Sequence, residues 1–191
     1  MIKKKTFFKI LSLLFLLSNF LQSFTLERIT NINNGWGMTF LNNKEIFVSE
    51  KKGKLKIINI YNKSIKNISH NLKYSYAGQG GLLDLINKDN KIWISYAEKL
   101  HNGTTTSVAY GILEKDSIYF ENIFRAKPVL KSNFHYGSKL LLKDDYLYIT
   151  IGDRGKGMIA QDPSKHPGSI IKIKASGQKL SANSELNKKK N

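Results

Sequence analysis

Four side chains in this sequence have the types and settings that chemistry needs. His135 opens the run His135–Tyr136–Gly137–Ser138–Lys139–Leu140, after a loop containing Pro128, Ser132 and Asn133. It is one of four histidines, with His70, His101 and His166. An imidazole titrates near neutrality, so it can take or give a proton under ordinary conditions. Asp153 lies in Gly152–Asp153–Arg154–Gly155, directly after the β-rich run Ile149–Thr150–Ile151. A carboxylate there can orient a ring and stabilise its charged form, or it can cap its own turn. Gln79 sits inside Gly78–Gln79–Gly80–Gly81–Leu82–Leu83–Asp84. Its side-chain amide can both donate and accept hydrogen bonds, as contact with a polar ligand requires. The glycines around it permit positive φ and close backbone approach, as a ligand mouth or a tight inter-element turn requires. Arg154 is the fourth, able to contact an acidic ligand or to pair with a neighbouring carboxylate.

Other chemistries are excluded. There is no cysteine, so disulfides, thiolate metal sites and a cysteine nucleophile are absent. No metal site is legible: Asp144–Asp145 lacks the spaced oxygens of a calcium loop. The net charge of +17 invites a nucleic-acid reading. The lysines are spread along the chain rather than clustered, apart from Lys51–Lys52 and Lys188–Lys190, so phosphate binding is not expected.

The elements that must position these residues read as strands. Glu45–Ser49 and Leu55–Ile60 flank the turn Lys51–Lys54 and predict a hairpin. Further alternating runs are Lys91–Tyr96, Ser107–Leu113, Ser117–Phe120, Asp145–Ile151 and Ser169–Ile173. Leu82–Ile86 and Lys139–Leu142 are expected as the strands that follow Gln79 and His135. No run keeps a helical period over three turns. The chain is therefore expected to be all-β. Its strands fall into units of roughly 40 to 50 residues, the size of a four-stranded propeller blade. Similar strands at Ile46–Ser49, Ile92–Tyr96 and Leu147–Ile151 anchor about three such units, predicting a partial β-propeller over residues 26–177. In such a ring Gln79 and His135 stand at equivalent inner-strand entries of neighbouring blades, and Asp153 returns to the same rim.

Met1–Ser23 reads as a secretory signal. Lys3–Lys5 form a positive start, Ile10–Leu17 an apolar run, and Ser23 a small residue before a cut. With Lys9 interrupting it, the apolar run is short for a bilayer-spanning helix, so cleavage is expected ahead of retention as an N-terminal anchor. Either outcome places the body of the protein outside the cytoplasm, periplasmic or secreted, touching membrane only through this segment. Residues 178–191 are polar, end in lysines and are expected to be a disordered or truncated tail.

Taken in order, the motifs resemble one family. Gly35–Trp36–Gly37–Met38–Thr39–Phe40 resembles a W-G-x-x-F blade opening, and Glu50–Leu55 a T-E-K-x-G-x-L hairpin. Residues 78–84 resemble a G-x-G-G-L-L-D loop. His135–Leu140, Gly152–Gly155 and Ala160–Gln161–Asp162 resemble an H-x-G-x-R-L, G-D-R-G and A-Q-D series, with Lys139 where the arginine usually stands. The family is that of soluble glucose and aldose dehydrogenases (glucose/sorbosone dehydrogenases) that use pyrroloquinoline quinone, built as six-bladed β-propellers. The resemblance implies oxidation of a sugar or other cyclic alcohol. His135 would be the general base at the anomeric hydroxyl, with Asp153 beside it, and hydride would pass to the quinone. It also implies calcium. The chain would correspond to the N-terminal half, with the ligands for calcium and for the cofactor carboxylates largely in the other half, so that by itself it is expected to be inactive. The alternative is a non-catalytic propeller fragment that binds a carbohydrate or a partner chain.

Overall fold

In the computed structural model residues 24–177 are described; the expected signal at 1–23 and tail at 178–191 lie outside them. The described chain is almost entirely β. The first blade is a meander of β1 (Gly35–Asn42), β2 (Glu45–Glu50), β3 (Leu55–Asn59) and β4 (Ile65–His70). The second has β5 (Leu82–Lys88), β6 (Lys91–Leu100) and β7 (Gly103–Glu114) in order. The short β8 (Ser117–Ile118) pairs antiparallel with β7 and parallel with β4, tying the outer edges of the first two blades together. β9 (Glu121–Arg125) completes the second blade against β7. The third blade has three strands among the described residues: β10 (Gly137–Lys143), β11 (Tyr146–Ile151) and β12 (Ile170–Lys174). The only helix among the described residues is a 3-10 turn at Gly157–Gln161.

Two apolar slabs hold the blades face to face. Between the first and second lie Phe47, Leu55, Ile57, Leu85, Ile94 and their neighbours. Between the second and third lie Trp93, Val108, Leu140, Leu147, Ile149 and Ile151. The middle blade is covered on both faces. This is why Ile92–Ala97 is a continuous buried run rather than an alternating one.

The three blades share a register that fixes their inner rims. In the first strand of each, one extra residue opposes the second strand. Gly35 pairs Glu50 and Met38 pairs Val48. Leu82 pairs Tyr96 and Leu85 pairs Ile94. Gly137 pairs Ile151 and Leu140 pairs Ile149. Each is a bulge that bends the strand and frees its backbone polar groups. A hydroxyl from the second strand fills each gap. Ser49 Oγ accepts the Gly37 amide at 3.0 Å and donates to the Leu83 carbonyl of the next blade at 2.5 Å. Ser95 Oγ accepts the Asp84 amide at 3.0 Å and donates to the Ser138 carbonyl of the next blade at 2.7 Å. Thr150 Oγ1 accepts the Lys139 amide at 2.9 Å. Ser49 and Ser95 are fully buried, so these bonds are formed out of water. Asp84 adds a second stitch across the same seam: its buried carboxylate accepts the Leu140 amide at 2.8 Å and Lys139 Nζ at 3.2 Å.

Candidate functional site

The structure brings Gln79, His135 and Asp153 together at one rim, where the second and third blades meet. Gln79 lies in the loop entering β5. His135 precedes β10, and Asp153 follows β11, so those two flank one hairpin. The bulge at Gly137 carries the chain back so that the Arg154 amide donates to the His135 carbonyl at 3.3 Å and the Gly152 amide to the Tyr136 carbonyl at 3.2 Å. Gly152 is needed there: a β-carbon on it would run into the carbonyl oxygen of His135. His135 itself adopts φ 47°, a left-handed conformation unusual for a side-chain-bearing residue.

His135 Nδ1 lies 2.7 Å from Asp153 Oδ1. The same oxygen accepts the Gly155 amide at 2.9 Å. The Gly155 N–H, and then the His135 ring, hold the Asp153 carboxyl below the usual carboxylate range. Asp153 is thus ionised at neutral pH and can only accept. That makes His135 Nδ1 the donor and leaves the lone pair of the neutral ring on Nε2. The imidazole is half-exposed, and Nε2 has no partner among the described residues. Gln79 closes the other side. Its Oε1 accepts the His135 backbone amide at 2.8 Å, and its backbone N–H donates to the Asn133 carbonyl at 2.8 Å. With Oε1 engaged by an N–H donor, the side-chain NH2 is the group Gln79 presents to the rim. The arrangement offers a base, its orienting carboxylate and a neutral donor on one exposed edge.

Arg154 is placed differently. Its side chain turns inward and the residue is 2% exposed. Nε donates to the Phe134 carbonyl at 2.9 Å, Nη1 to the Thr104 carbonyl at 3.2 Å and Nη2 to Thr104 Oγ1 at 2.8 Å and to the Ser132 carbonyl. The guanidinium lies 3.8 Å from the centre of the Tyr136 ring. Burial pulls its pKa below the ordinary arginine value, with no carboxylate bonded to it. Arg154 therefore touches neither the rim nor an acidic side chain. It clamps the loop that presents His135. Residues of that clamp and seam, Thr104, Tyr136, Asp84 and Ser95, carry no motif signal of their own beyond Asp84 and Tyr136 lying inside the two glycine-bearing motifs. Among the described residues no group of three His, Cys, Asp or Glu side chains could hold a metal ion.

The family model for Glucose / Sorbosone dehydrogenase matches residues 32–191. The chain belongs to this family. Aldose sugar dehydrogenase YliI of Escherichia coli (strain K12) is 33% identical over 111 residues, which are 53% of this chain and 30% of that protein. A solved glucose dehydrogenase superposes with a TM-score of 0.74 at 26% identity, covering 80% of this chain and 51% of that one. The PQQ-bound form of aldose sugar dehydrogenase from Streptomyces coelicolor shares the fold, with a TM-score of 0.72 at 17% identity over 83% of this chain and 50% of that one. Glucose/sorbosone dehydrogenases of known structure are thus matched over about half their length, and the blades described above are part of their β-propeller.

Proposed function

We propose that this chain carries the proton-accepting part of a quinoprotein aldose dehydrogenase site. The observation that carries the reading is His135, with Nδ1 held 2.7 Å from Asp153 and Nε2 without a partner among the described residues on a half-exposed ring. In this reading the substrate is a sugar or similar cyclic alcohol. Its anomeric hydroxyl donates to His135 Nε2, and the ring takes that proton as the carbon is oxidised. Asp153 keeps Nδ1 protonated, so that Nε2 is the base, and it stabilises the imidazolium that results. The Gln79 side-chain NH2 donates to a second oxygen, either a sugar hydroxyl or the quinone oxygen, fixing which face of the carbon is presented.

The donor set fits one end of pyrroloquinoline quinone: neutral and basic groups suit a quinone carbonyl beside a sugar. Pyrroloquinoline quinone, when bound, supplies the two-electron acceptor for the hydride. Its carboxylates find no cation among the three rim residues, since Arg154 faces inward. Calcium likewise is not assigned to residues of this chain. Export to the periplasm or beyond, through residues 1–23, belongs to the same proposal.

Histidine-selective isotope labelling with NMR tests it without turnover. The His135 ring is expected as the Nδ1–H tautomer, and its signals and the Gln79 side-chain NH2 signals should move when glucose and pyrroloquinoline quinone are added together. Asp153→Asn should abolish the tautomer preference. A His135 ring without the Nδ1–H preference, or one whose preference is unchanged in Asp153→Asn, would refute the assignment.

A further inference from the structure

Beside the candidate site the fold gathers lysines that lie far apart in sequence. The loop between β4 and β5, which carries Gln79, runs along the end of β6: the Ser75 amide donates to the Ala97 carbonyl at 2.7 Å and the Ala97 amide to the Gly81 carbonyl at 2.9 Å. The turn after β2 closes on the same loop. There the Leu82 amide donates to the Lys51 carbonyl at 3.3 Å and the Tyr74 hydroxyl to the Lys52 carbonyl at 2.9 Å. Next to Gln79, Lys51 Nζ donates to the Gly78 carbonyl at 2.6 Å. Lys51 and Lys52 stand 5.9 and 5.7 Å from the centre of the Tyr76 ring, which is 45% exposed. Beyond it Tyr74 shares an open groove of about 530 Å³ with Lys73, Lys99 and His101. Cations and aromatic rings thus alternate outward from Gln79.

None of Lys51, Lys52, Lys73 and Lys99 pairs with a carboxylate among the described residues; the ion-paired lysines there are Lys56, Lys63, Lys66, Lys139 and Lys165. The neighbouring acids are spent inward. Glu50 is buried and bonded to Lys56 and the Asn33 amide. Glu98 is buried and held by Arg125 and Ser107. The track therefore presents positive charge with no acid of its own against it, and two like charges share the Tyr76 ring. An anion from outside relieves that repulsion.

We propose that this track binds an acidic oligosaccharide, a chain of uronic acid units, with its reducing end at Gln79 and His135. The placing of that end rests on the proton-accepting role proposed for His135. The second unit lays its ring on Tyr76 and pairs its carboxylate with Lys51 and Lys52. The third packs against Tyr74 with its carboxylate at Lys73 and Lys99. The track lies wholly on the first two blades and the loops joining them, so it is formed whatever follows the described residues.

Trigalacturonate titrated into the chain, with labelled tyrosine rings read by NMR, is expected to move the Tyr74 and Tyr76 signals. It should bind roughly 10-fold or more tightly than galacturonate or neutral maltotriose, and weaken as salt is added. Lys52→Glu combined with Lys99→Glu, both exposed residues, should weaken it by roughly 30-fold, and Tyr76→Ala by roughly 5-fold. Tyrosine signals that stay still overturn the proposal, as does an affinity unchanged by the paired lysine substitutions. Maltotriose bound equally well overturns it by removing the role of charge. Triaspartate or a thymidine trinucleotide bound as tightly overturns it too, since the track would then be a general anion surface suited to an acidic protein or a nucleic acid. The site reading fails separately, on the His135 tautomer measured without any ligand.

Discussion

Arg154→Met should destabilise the fold by about 2–4 kcal/mol, a figure built from the partners the guanidinium leaves behind. Ser132 O keeps two donors, Thr104 Oγ1 at 2.6 Å and the Tyr136 hydroxyl at 3.2 Å. Thr104 O keeps the Leu130 amide at 3.1 Å. Phe134 O has no other donor among the described residues, so one acceptor is orphaned, at about 1–3 kcal/mol. Losing the cation from the Tyr136 face removes about 1–2 kcal/mol more. Against this, methionine keeps the packing and removes the cost of burying an unpaired charge, which holds the total in the stated range. Lysine at this site keeps the charge but not the planar fork, so Arg154→Lys should recover little of the loss. Urea unfolding at neutral pH, with the slope unchanged, measures the difference. Hydrogen exchange of the Phe134, His135 and Tyr136 amides should rise in both variants. A Met variant within about 0.5 kcal/mol of wild type would show that the clamp does not hold the loop, and full recovery by lysine would show that charge alone matters.

Ser95→Ala leaves the Asp84 amide and the Ser138 carbonyl unpaired inside the seam and should cost about 2–4 kcal/mol, whereas Thr150→Val strands only the amide of exposed Lys139 and should cost about 1 kcal/mol or less. Thermal melts rank the two, and equal losses would contradict the seam. Gly152→Ala should lose about 1–3 kcal/mol, because its β-carbon meets the His135 carbonyl, and should weaken the Nδ1–Asp153 bond as read by NMR. The Asp153 carboxyl lies below its ordinary range when folded, so its contribution is fully present above about pH 4 and fades as pH falls through the folded value. The melting difference between wild type and Asp153→Asn should therefore shrink from about pH 5 to about pH 2, and a difference that grows on acidification would reverse the sign of this reasoning.

The inner parts of the blades were legible because burial stamps them. The anchors Ile46–Ser49, Ile92–Tyr96 and Leu147–Ile151 are the second strands of the three blades, in matching register. The outer strands β4 and β9 were not legible. Ile65–His70 and Glu121–Arg125 are mostly exposed and carry no alternation for a reader to find. The run expected as a strand at Ser117–Phe120 shrinks to Ser117–Ile118, which pairs antiparallel with β7 and parallel with β4, a contact that sequence cannot announce. Arg154 illustrates the limit for side chains. A charged residue in a glycine turn suggests an outward role, yet three backbone carbonyls from residues 104, 132 and 134 converge on it and draw it inward. That convergence is a property of the assembled loops, not of any local spacing.

The candidate site is therefore two units joined at a seam, and they should fail separately. His135 and Asp153 flank one hairpin, β10–β11, and their bond depends on backbone contacts within it: His135 O to the Arg154 amide, Asp153 to the Gly155 amide. Gln79 belongs to the neighbouring blade and reaches His135 only because Ser95, Asp84 and the apolar slab around Trp93 hold the blades together. Non-glycine residues in left-handed conformation crowd the hairpin side, His135 at φ 47°, Ser138 at 84° and Arg154 at 58°, each a local strain that its surroundings must offset. The Arg154–Thr104–Tyr136 clamp is well placed to do so. Loosening the seam with Ser95→Ala should thus free the Gln79 side chain while the Nδ1–H signal of His135 persists. Loosening the clamp with Arg154→Met should shift the His135 ring first. If both variants disturbed both signals equally, the rim would be a single cooperative unit and this division of labour would be wrong.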